Sequence, residues 1–572
     1  KLRAGAEAGL SERRHGAVWP PRGVPAGTRG QAQLDSLSQR YDIDTLLPWS
    51  SLQQSMLYPR LRCPQDDAYH LQTPIRYAQV LDVEGYRQAW QRQIQRFPAL
   101  RAALESEHAS MQVIVKQADL PFYYQDVAQE ADPLAVIERY RQQDLRTGFN
   151  LSQPPLLRIA CFRLGEQDYR VLLSCHHSVI DGWSGPQLLG AVHRDYQMLM
   201  NGETFMHGET SAIQVDRAYV DYALHAVAQQ SAVEAFWQQR QPLLAQTNDV
   251  AMLFAAAGKR ADLSQHLTQV EPQVTGVSLN EQDQAALIAF AREVGVTHSI
   301  IAQYAWHRLL ARSTGDAVSI VGNVLSGRES PVEDVASSVG LYINSLPLAL
   351  SWQQPVSLQQ HLVQLQNELM AMNQHATQSL IALTAGRSRL FNSLFIYENY
   401  PGAKAEPGQR ADDPHRLSPE FSAAYEKVEM PLNLVVREQA GCMLLRFEFD
   451  ADVLDSAQAR RVLMRWHDEV VALVNSAPQQ PAEIVAHNKV TDAAVQQAIT
   501  PDSRTNPPDT PFAQSLLSVW AQTLRLSEAA LSSHTPCASG VDSLHRTALP
   551  QASSRSLAQP ASAAVLPRHP SP

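Results

Sequence analysis

The sequence has 572 residues, of which 44% are hydrophobic and 18% are charged, and its formal net charge is -10 at pH 7. A single hydrophobic core stops growing at roughly 250–300 residues, so we expect two large lobes with shorter appended segments. The acidic balance leaves no basic stripe to neutralise phosphates, which excludes nucleic acid as an expected partner. The five cysteines are scattered and form no CxxC pair, which excludes a disulfide framework or a zinc knuckle and is typical of a reducing, cytoplasmic setting.

The N-terminal segment, residues 1–40, is rich in Arg, Gly, Pro and Ala. We expect a disordered leader there, because such a segment cannot bury enough apolar surface to offset its chain entropy. Residues 1–30 also lack the apolar core of a signal peptide. No run in the chain approaches the roughly 18 apolar residues of a membrane span, so no membrane is expected as a partner.

An alternation of strand and helix patterns predicts the first lobe, an α+β sandwich over residues 41–201. In its predicted helix, Tyr86, Trp90 and Ile94 recur at helical spacing. The predicted elements of this lobe are strands at Pro74–Val83, Leu156–Phe162 and Tyr169–Ser174 and a helix at Val83–Phe97.

The same alternation predicts a connection and a second lobe over residues 202–475. Asn280 and Gly295 have the residue types that begin and end a helix. The other predicted elements are a helix at Tyr219–Gln239 and strands at Ala317–Val321, Gly340–Asn344, Phe391–Glu398 and Leu444–Phe449. A Pro-, Gln- and Ala-rich linker is expected over residues 476–511, and an unfolded tail over 546–572.

One turn carries the residues with the clearest chemistry: Cys175–Ser184 reads CHHSVIDGWS. It lies between a predicted buried strand and a helix predicted to begin near Pro186, which makes it a rigid platform from which side chains can reach a cleft. An imidazole titrates near neutral pH, so His177 is expected to handle a proton there. Ser184 is the predicted N-cap of the helix, with Pro186 in the first turn.

The neighbours of His177 have structural interpretations. We expect backbone groups to satisfy His176 at the strand end and Cys175 to belong to the core. By residue type, His176, His177 and Asp181 could ligate a metal. Adjacent histidines point to opposite sides of an extended strand, however, so no metal site is expected.

Seven stretches of the chain follow one another in a familiar order. The central one is an HHxxxDG signature, met in full by His176, His177, Asp181 and Gly182. The other six are Ser51–Leu57, Arg96–Leu104, Tyr219–Ala223, Val324–Arg328, Val339–Pro347 and Leu390–Pro401. Over roughly residues 41–475, the chain therefore resembles the condensation domains of nonribosomal peptide synthetases, and ordered matches over that length are far more specific than one motif.

This resemblance implies an α/β (α+β) fold of two lobes, each like chloramphenicol acetyltransferase, arranged as a pseudo-dimer in a V with a central tunnel. It implies an acyltransferase that joins the peptidyl or aminoacyl thioester of an upstream donor carrier protein to the amine of an aminoacyl thioester on a downstream acceptor carrier protein. Both substrates would arrive on 4'-phosphopantetheine arms within a synthetase of several modules. The domain would bind no cofactor of its own.

The resemblance also implies roles for individual residues. His177 matches the catalytic histidine, either as a general base or as a group that orients the amine and steadies the tetrahedral intermediate. Asp181 matches a structural aspartate whose arginine partner corresponds to Arg328, with Arg101 as a second candidate. Backbone N–H groups at Gly182 could help to hold negative charge. The remaining expected site residues are Trp183 and Ser184 as support, and Tyr342 and Asn344 as tunnel or strand-packing residues.

A second resemblance lies near the C-terminus. The stretch Gly540–Leu544, which reads GVDSL, is similar to the phosphopantetheine attachment site of a carrier protein, with Ser543 as the attachment serine. Ala513–Leu526 is similar to the first helix of a carrier. The prolines that follow Ser543 are incompatible with further amphipathic helices, so we expect a truncated carrier-like segment over residues 512–545.

Other functions stay open. An ester-forming O-acyltransferase that uses a soluble alcohol shares the HxxxD chemistry, and an idle scaffold that docks carriers is opposed only by the intact His, Asp and Gly set. An epimerisation domain is disfavoured because a second acidic motif near a histidine is missing. A cyclisation domain is excluded because that class carries aspartates where this chain has the two histidines. The DGWS sequence and Gln53–Leu57 favour the branch that takes an L-configured donor, with the dual and modified-residue branches left open, and no compact pattern identifies the substrates.

Overall fold

The computed structural model describes residues 31–62, 69–105, 111–202, 213–253, 272–384, 387, 389–398, 415–427, 430–439 and 441–482. The chain divides into two units, and the first, residues 1–385 and 389–484, holds every element named below. The second, residues 386–388 and 485–572, lies outside the described residues except for residue 387. The carrier-like segment, with Ser543, and the tail therefore stay predictions.

Helices and strands follow one another along the described chain. The first half contains α1 (Gln31–Arg40), β1 (Ile43–Pro48), α2 (Ser51–Arg62), β2 (His70–Tyr77), α3 (Val83–Arg96), β3 (Ala102–Glu105), β4 (Met111–Val115), β5 (Phe122–Asp126), α4 (Pro133–Thr147), β6 (Leu157–Gly165), β7 (Asp168–His176) and α5 (Ser184–Met200). The second half contains α6 (Ala218–Gln238), β8 (Gln273–Ser278), α7 (Glu281–Val294), α8 (His298–Thr314), β9 (Val318–Leu325), β10 (Asn344–Ser351), α9 (Leu358–Gln374), α10 (Leu380–Thr384), β11 (Ser393–Tyr397), β12 (Pro419–Phe421), β13 (Leu432–Gln439), β14 (Cys442–Phe449) and α11 (Ser456–Val474).

A five-stranded sheet with the order β12-β2-β7-β6-β5 carries the turn Cys175–Ser184, here called the His turn. Its central strand β7 pairs antiparallel with β2, from His70↔His176 to Tyr77↔Tyr169, and with β6 on its other side. Six consecutive residues at the end of β7 are buried, as expected of a central strand covered on both faces. β7 therefore delivers the His turn at the end of a rigid, fully paired strand.

Helices α3 and α5 pack with this sheet in one hydrophobic core. Asp82 caps α3 by accepting a hydrogen bond from Gly85 N at 2.6 Å. Tyr86, Trp90 and Ile94 lie on the buried face of α3, which confirms the helix predicted from their spacing.

A six-stranded sheet with the order β10-β9-β11-β13-β14-β8 forms the second lobe. β11 runs parallel to β9 and β13, and the other pairs are antiparallel. Asn280 caps α7 by accepting from Asp283 N at 2.9 Å, and Gly295 ends it in the left-handed region with φ 81°. Both capping predictions are confirmed.

The leader predicted over residues 1–40 is wrong for its last ten residues, which form α1. Leu37 is fully buried against Leu46 and Val113 of a three-stranded sheet with the order β1-β4-β3. The linker predicted to start at residue 476 also begins later, because Gln480 O accepts from Leu358 N at 2.8 Å and holds the chain against the second lobe.

The strand predicted at Gly340–Asn344 is also wrong, since β10 begins at Asn344. Backbone groups of the preceding residues bond to the His turn instead: Gly340 O accepts from Asp181 N at 3.2 Å, and Tyr342 N donates to the Asp181 carboxylate at 3.0 Å. Backbone groups that are already hydrogen-bonded to another loop cannot also pair with a neighbouring strand.

Residues 415–427, here called the strap, cross from the second lobe to the first. β12 within the strap pairs with β2 at the edge of the five-stranded sheet. Tyr425 extends this pairing by exchanging two backbone hydrogen bonds with Gln72, each of 2.9 Å. The division of the chain at residue 201 is therefore incomplete, because part of the predicted second lobe builds the first lobe's sheet.

No single helix in the described ranges is both long and apolar enough to cross a membrane. α7 and α8 reach that length and composition as a pair, but they are bent by 96° at the break between them.

Candidate active site

The backbone of the His turn is fixed on both sides. His176 N donates to Leu156 O at 2.9 Å, and His177 N donates to Tyr69 O at 2.8 Å. Tyr69 has φ 67°, an uncommon conformation for a residue other than glycine. Such backbone strain is concentrated at functional sites, where the surrounding structure maintains it.

His176 points into the first lobe and is 4% exposed. Its Nδ1 accepts a hydrogen bond from Ser178 N at 3.2 Å and lies 2.7 Å from Ser178 Oγ. Because Nδ1 is an acceptor, the neutral ring carries its proton on Nε2. These contacts support a structural interpretation of His176.

His177 points the other way, as expected for adjacent residues of an extended strand. Its side chain is 13% exposed, and Nε2 lies 3.1 Å from Glu426 Oε1. Burial lowers the pKa of His177, but the charge and the hydrogen bond of Glu426 outweigh it and raise the pKa to about 9. The ring is therefore an imidazolium at neutral pH.

Glu426, whose side chain is 35% exposed, is the residue of this site that sequence reasoning missed. It lies in the strap, between the two residues whose backbones bond the first lobe, Tyr425 and Lys427. Neither periodicity nor a motif marks it. Partial burial raises the pKa of Glu426, but the His177 imidazolium and Arg446 hold it below its ordinary 4.5.

Asp181 and Arg328 form a closed ion pair beside the turn. Arg328 Nη2 donates to Asp181 Oδ1 at 3.0 Å, and the two side chains are 3% and 0% exposed. Arg328 Nη1 donates to the backbone oxygens of Val335 and Ser338 at 2.6 and 2.9 Å, and its guanidinium lies 4.3 Å from the ring centre of Tyr342. The pairing that the resemblance implied is present, and every charge in it is hydrogen-bonded.

Ser184 does not act as the N-cap of α5, contrary to the sequence prediction. The N-cap position belongs to Trp183, and Ser184 is the first helical residue. Its hydroxyl donates to Asp181 Oδ1 at 2.7 Å and accepts from Arg328 Nη2 at 2.8 Å. Ser184 N also donates to Asp181 Oδ1, at 2.8 Å, so Asp181 takes the capping role and Ser184 ties the helix to the ion pair.

Gly327 explains why a glycine precedes Arg328. It has φ 65°, and a Cβ there would collide with the Tyr342 carbonyl and the Tyr222 hydroxyl. Tyr222 packs its ring against Tyr342 with the ring centres 5.0 Å apart. The SGR stretch and the aromatic residues of α6 thus fix the backbone that faces Asp181.

Arg101, the second candidate partner of Asp181, lies elsewhere. Its Nη1 donates to the backbone oxygens of Val115 and Lys116 at 2.5 and 2.9 Å, and it lies 3.6 Å from Asp44. Arg101 therefore stabilises the end of β4, and in the described residues it has no contact with Asp181. The prediction that it supports the site is wrong.

A buried carboxylate, Asp144 of α4, holds the strands beneath the turn. It lies 3.1 Å from His70 Nε2 and accepts from Gln72 Nε2 at 2.6 Å and from Ser174 Oγ at 2.7 Å. It also pairs with Arg158. Burial raises the pKa of Asp144, but these donors outweigh it and hold the pKa well below its usual range. Asp144 therefore fastens β2, β6 and β7 together near His176.

Tyr342 and Asn344 border a cavity of about 540 Å³ between α2, α6 and residues 376–382. His177 is not among the residues that line it. Asn344 Nδ2 donates to the backbone oxygens of Ala376 and Gln378 at 2.7 and 2.8 Å, so its amide fastens β10 to the loop after α9. A tunnel role for these two residues stays a prediction.

The other predicted residues of the turn occupy distinct environments. Gly182 is exposed, Trp183 is half-buried and Cys175 is 1% exposed. Burial raises the pKa of the Cys175 thiol to about 12, which fits a core residue. In the part of the chain that the structure describes, no three His, Cys, Asp or Glu side chains converge as a metal site would require.

Comparison with known proteins places this geometry in a family. The family model of the condensation domain matches residues 43–500. N-(5-amino-5-carboxypentanoyl)-L-cysteinyl-D-valine synthase of Amycolatopsis lactamdurans is 29% identical over 442 residues, which are 74% of this chain and 12% of that synthase. The same synthase of Penicillium chrysogenum is 29% identical over 418 residues, which are 71% of this chain and 11% of that synthase. The chain thus spans only about a tenth of the length of these relatives.

Solved structures of low sequence identity share the fold. The first condensation domain of the calcium-dependent antibiotic synthetase is 16% identical, with a TM-score of 0.56 over 76% of this chain and 98% of that chain. The starter condensation domain of rhizomide synthetase is 16% identical, with a TM-score of 0.60 over 79% of this chain and 98% of that one. These likenesses confirm the predicted fold class, and with the family match over most of its length the chain belongs to the condensation-domain family.

Proposed function

We propose that this chain is a condensation domain of a nonribosomal peptide synthetase and forms an amide bond between two carrier-bound substrates. The donor is an acyl or peptidyl thioester on an upstream carrier protein. The acceptor is the amine of an aminoacyl thioester on a downstream carrier protein. Both arrive on 4'-phosphopantetheine arms, and the other modules of a cytoplasmic synthetase supply them.

The observation that carries this proposal is the orientation of the two histidines of the HHxxxDG turn. His176 is held in the core by Ser178, whereas His177 leaves the core and lies 3.1 Å from a partly exposed carboxylate. An imidazole so placed can exchange a proton with an amine that attacks a thioester. We assign the catalytic role to His177 and a supporting role to His176.

Asp181 and Arg328 have an architectural role in this proposal. Their pair is closed to solvent and ties the turn to the segment around Tyr342. Gly182, which is exposed at the tip of the turn, offers a backbone N–H toward developing negative charge. Trp183 flanks that position, and Ser543 stays a separate, predicted attachment site.

The test is a reconstituted reaction with the purified chain and both carriers loaded with aminoacyl pantetheine. Mass spectrometry of the intact acceptor carrier is expected to show a dipeptidyl product that forms only when both loaded carriers are present. The same reaction with a soluble alcohol in place of the acceptor carrier is expected to give no ester. An ester without an amide would favour an O-acyltransferase, and no product of either kind would favour a docking scaffold.

A further inference from the structure

The HHxxxDG signature does not account for one contact of the His turn, the contact between His177 and Glu426 of the strap. His177 Nδ1 is buried without a hydrogen-bond partner among the described residues, so Nε2 is the nitrogen that can exchange a proton with a substrate. Nε2 is the atom that Glu426 Oε1 approaches at 3.1 Å. Any amine that reaches His177 therefore meets Glu426 at the same point.

The strap holds Glu426 in this position from both sides. Before it, Tyr425 exchanges backbone hydrogen bonds with Gln72. After it, Lys427 O accepts from Tyr69 N at 3.2 Å, and the carbonyl of Tyr69 accepts from His177 N at 2.8 Å. Tyr69 of the first lobe is thus hydrogen-bonded both to the strap next to Glu426 and to His177, and it fixes the backbone at both partners of the pair.

The Glu426 carboxylate also has capacity for a further donor. Its side chain is 35% exposed, and His177 is the one hydrogen-bond partner that the described residues offer it. A carboxylate has about four acceptor sites on its two oxygens. A primary amine or ammonium can therefore donate to Glu426 while His177 stays in place.

Other charges near the pair come from three elements. Asp181 of the turn raises the pKa of His177, and Arg446 of β14 lowers the pKa of Glu426. Burial raises the pKa of Glu398, which follows β11. Arg446 lowers this pKa, whereas Glu448 and Glu426 raise it further. Arg446 is itself paired with Glu448. The nearest opposite charge to His177 is thus Glu426, and the surroundings keep the pair ionised.

We propose that Glu426 and His177 act as a proton-transfer pair, in which the carboxylate accepts the proton of the attacking amine and the imidazolium protonates the departing pantetheine sulfur. This inference rests on the proposed function and names the group that receives the acceptor's amine. It treats His177 as an acid in the forward step, whereas the signature alone left a base and a positioning group open.

The step balances. The amine nitrogen forms the C–N bond and loses one proton to Glu426, while the C–S bond breaks and the sulfur gains one proton from His177. The site is left with a protonated Glu426 beside a neutral His177, and transfer of that proton across the 3.1 Å contact restores the ion pair. An imidazolium with a pKa of about 9 is well matched to an alkyl thiolate, whose conjugate acid has a pKa of about 8.5.

The variant E426Q tests the pair, because glutamine keeps the shape and can still accept from the imidazolium but carries no charge and accepts no proton. E426D is the conservative variant, and E420Q is the matched control, an exposed strap carboxylate that pairs with Arg76 rather than with His177. Thermal unfolding checks that each variant folds. Single-turnover amide formation with loaded carriers is measured from about pH 6 to pH 10, and NMR of labelled histidine follows the titration of His177.

For E426Q we expect a fall of about 100-fold in the single-turnover rate near neutral pH, a partial recovery in E426D and no change in E420Q. The pKa of His177 is expected to fall well below 9 in E426Q, because burial is then opposed only by the smaller raising effects of the backbone and of Asp181. The ratio of wild-type to E420Q rate stays flat with pH, whereas the wild-type rate falls above about pH 9, where the acid is lost.

Two results would overturn the relay: wild-type rates in E426Q, or a wild-type rate that keeps rising through pH 9 as a simple base requires. Failure of the proposed function is a different result. In that case wild-type protein yields no amide at all, while the titration of His177 in E426Q still shows whether Glu426 controls its charge.

Discussion

Two ion pairs flank the same turn, and they differ in their access to solvent. The side chains of Asp181 and Arg328 are 0% and 3% exposed, whereas those of His177 and Glu426 are 13% and 35% exposed. Both pairs join the turn to segments far along the chain. A closed pair cannot meet a substrate, and an open pair can. Exposure therefore separates the residues that shape the turn from the residues that we propose act on the substrate.

The hydrogen bonds support the same division. Asp181 accepts from Ser184, Arg328 and Tyr342, so its oxygens are occupied by groups of the protein. Glu426 keeps capacity for a further donor. A buried carboxylate costs several kcal/mol unless it is satisfied in this way, and a partly exposed one is stabilised by water until a ligand replaces it.

The largest stability effect is expected from breaking the closed pair with R328A. Asp181 would stay buried without its cation, and the free energy of unfolding should fall by about 3–5 kcal/mol. Urea denaturation measures the loss. R87A is the control, because Arg87 pairs with Glu84 on the exposed face of α3 and should change the stability by less than about 1 kcal/mol. A loss in R328A no larger than in R87A would contradict the architectural role.

A smaller loss is expected when the backbone beside the closed pair is crowded. G327A places a methyl group against the Tyr342 carbonyl at a positive φ, whereas G295A meets a positive φ with no atom within 4 Å. Each variant should lose about 1 kcal/mol from the conformation, and G327A about 1–3 kcal/mol more from the collision. Thermal unfolding of the two variants isolates that collision, and equal losses would show that the segment yields freely.

The smallest stability effect is expected from the open pair, and it depends on pH. The folded pKa of His177 is about 9, above the ordinary 6.5, so the stabilisation is complete below about pH 6.5 and is lost as the pH rises through about 9. The pKa of Glu426 is below 4.5, so the stabilisation is also lost in acid, as the pH falls through that lowered value. Wild type should exceed E426Q by about 1 kcal/mol near pH 6, a figure discounted for exposure.

Urea denaturation of wild type and E426Q at about pH 6 and pH 10 checks this difference. The difference in stability should shrink toward zero at the higher pH, because the His177 ring is then neutral both in wild type and in E426Q. A difference that is the same at both values would show that Glu426 contributes packing rather than charge.

The family resemblance implied the closed pair, and apolar periodicity predicted β6 and β7, but neither predicted the open pair. Apolar periodicity reports contacts within one helix or strand, which is why β7 and α3 were predicted. The contact of Glu426 depends on the register of the strap against β2, and no spacing along the chain encodes that register. The prediction of Ser184 as an N-cap failed for a related reason. Its residue type suits an N-cap, but its hydroxyl is hydrogen-bonded to Asp181 and Arg328 instead.

The most direct test of the account is the single-turnover rate of amide formation in H177A. H298A is the matched control, since His298 also lies beside a partly exposed carboxylate, with Nδ1 3.2 Å from Glu438, but at the start of α8 in the second lobe. We predict that H177A folds and forms amide at least about 100-fold more slowly than wild type, while H298A keeps the wild-type rate. Equal rates in H177A and wild type would contradict the assignment of His177 as the catalytic residue.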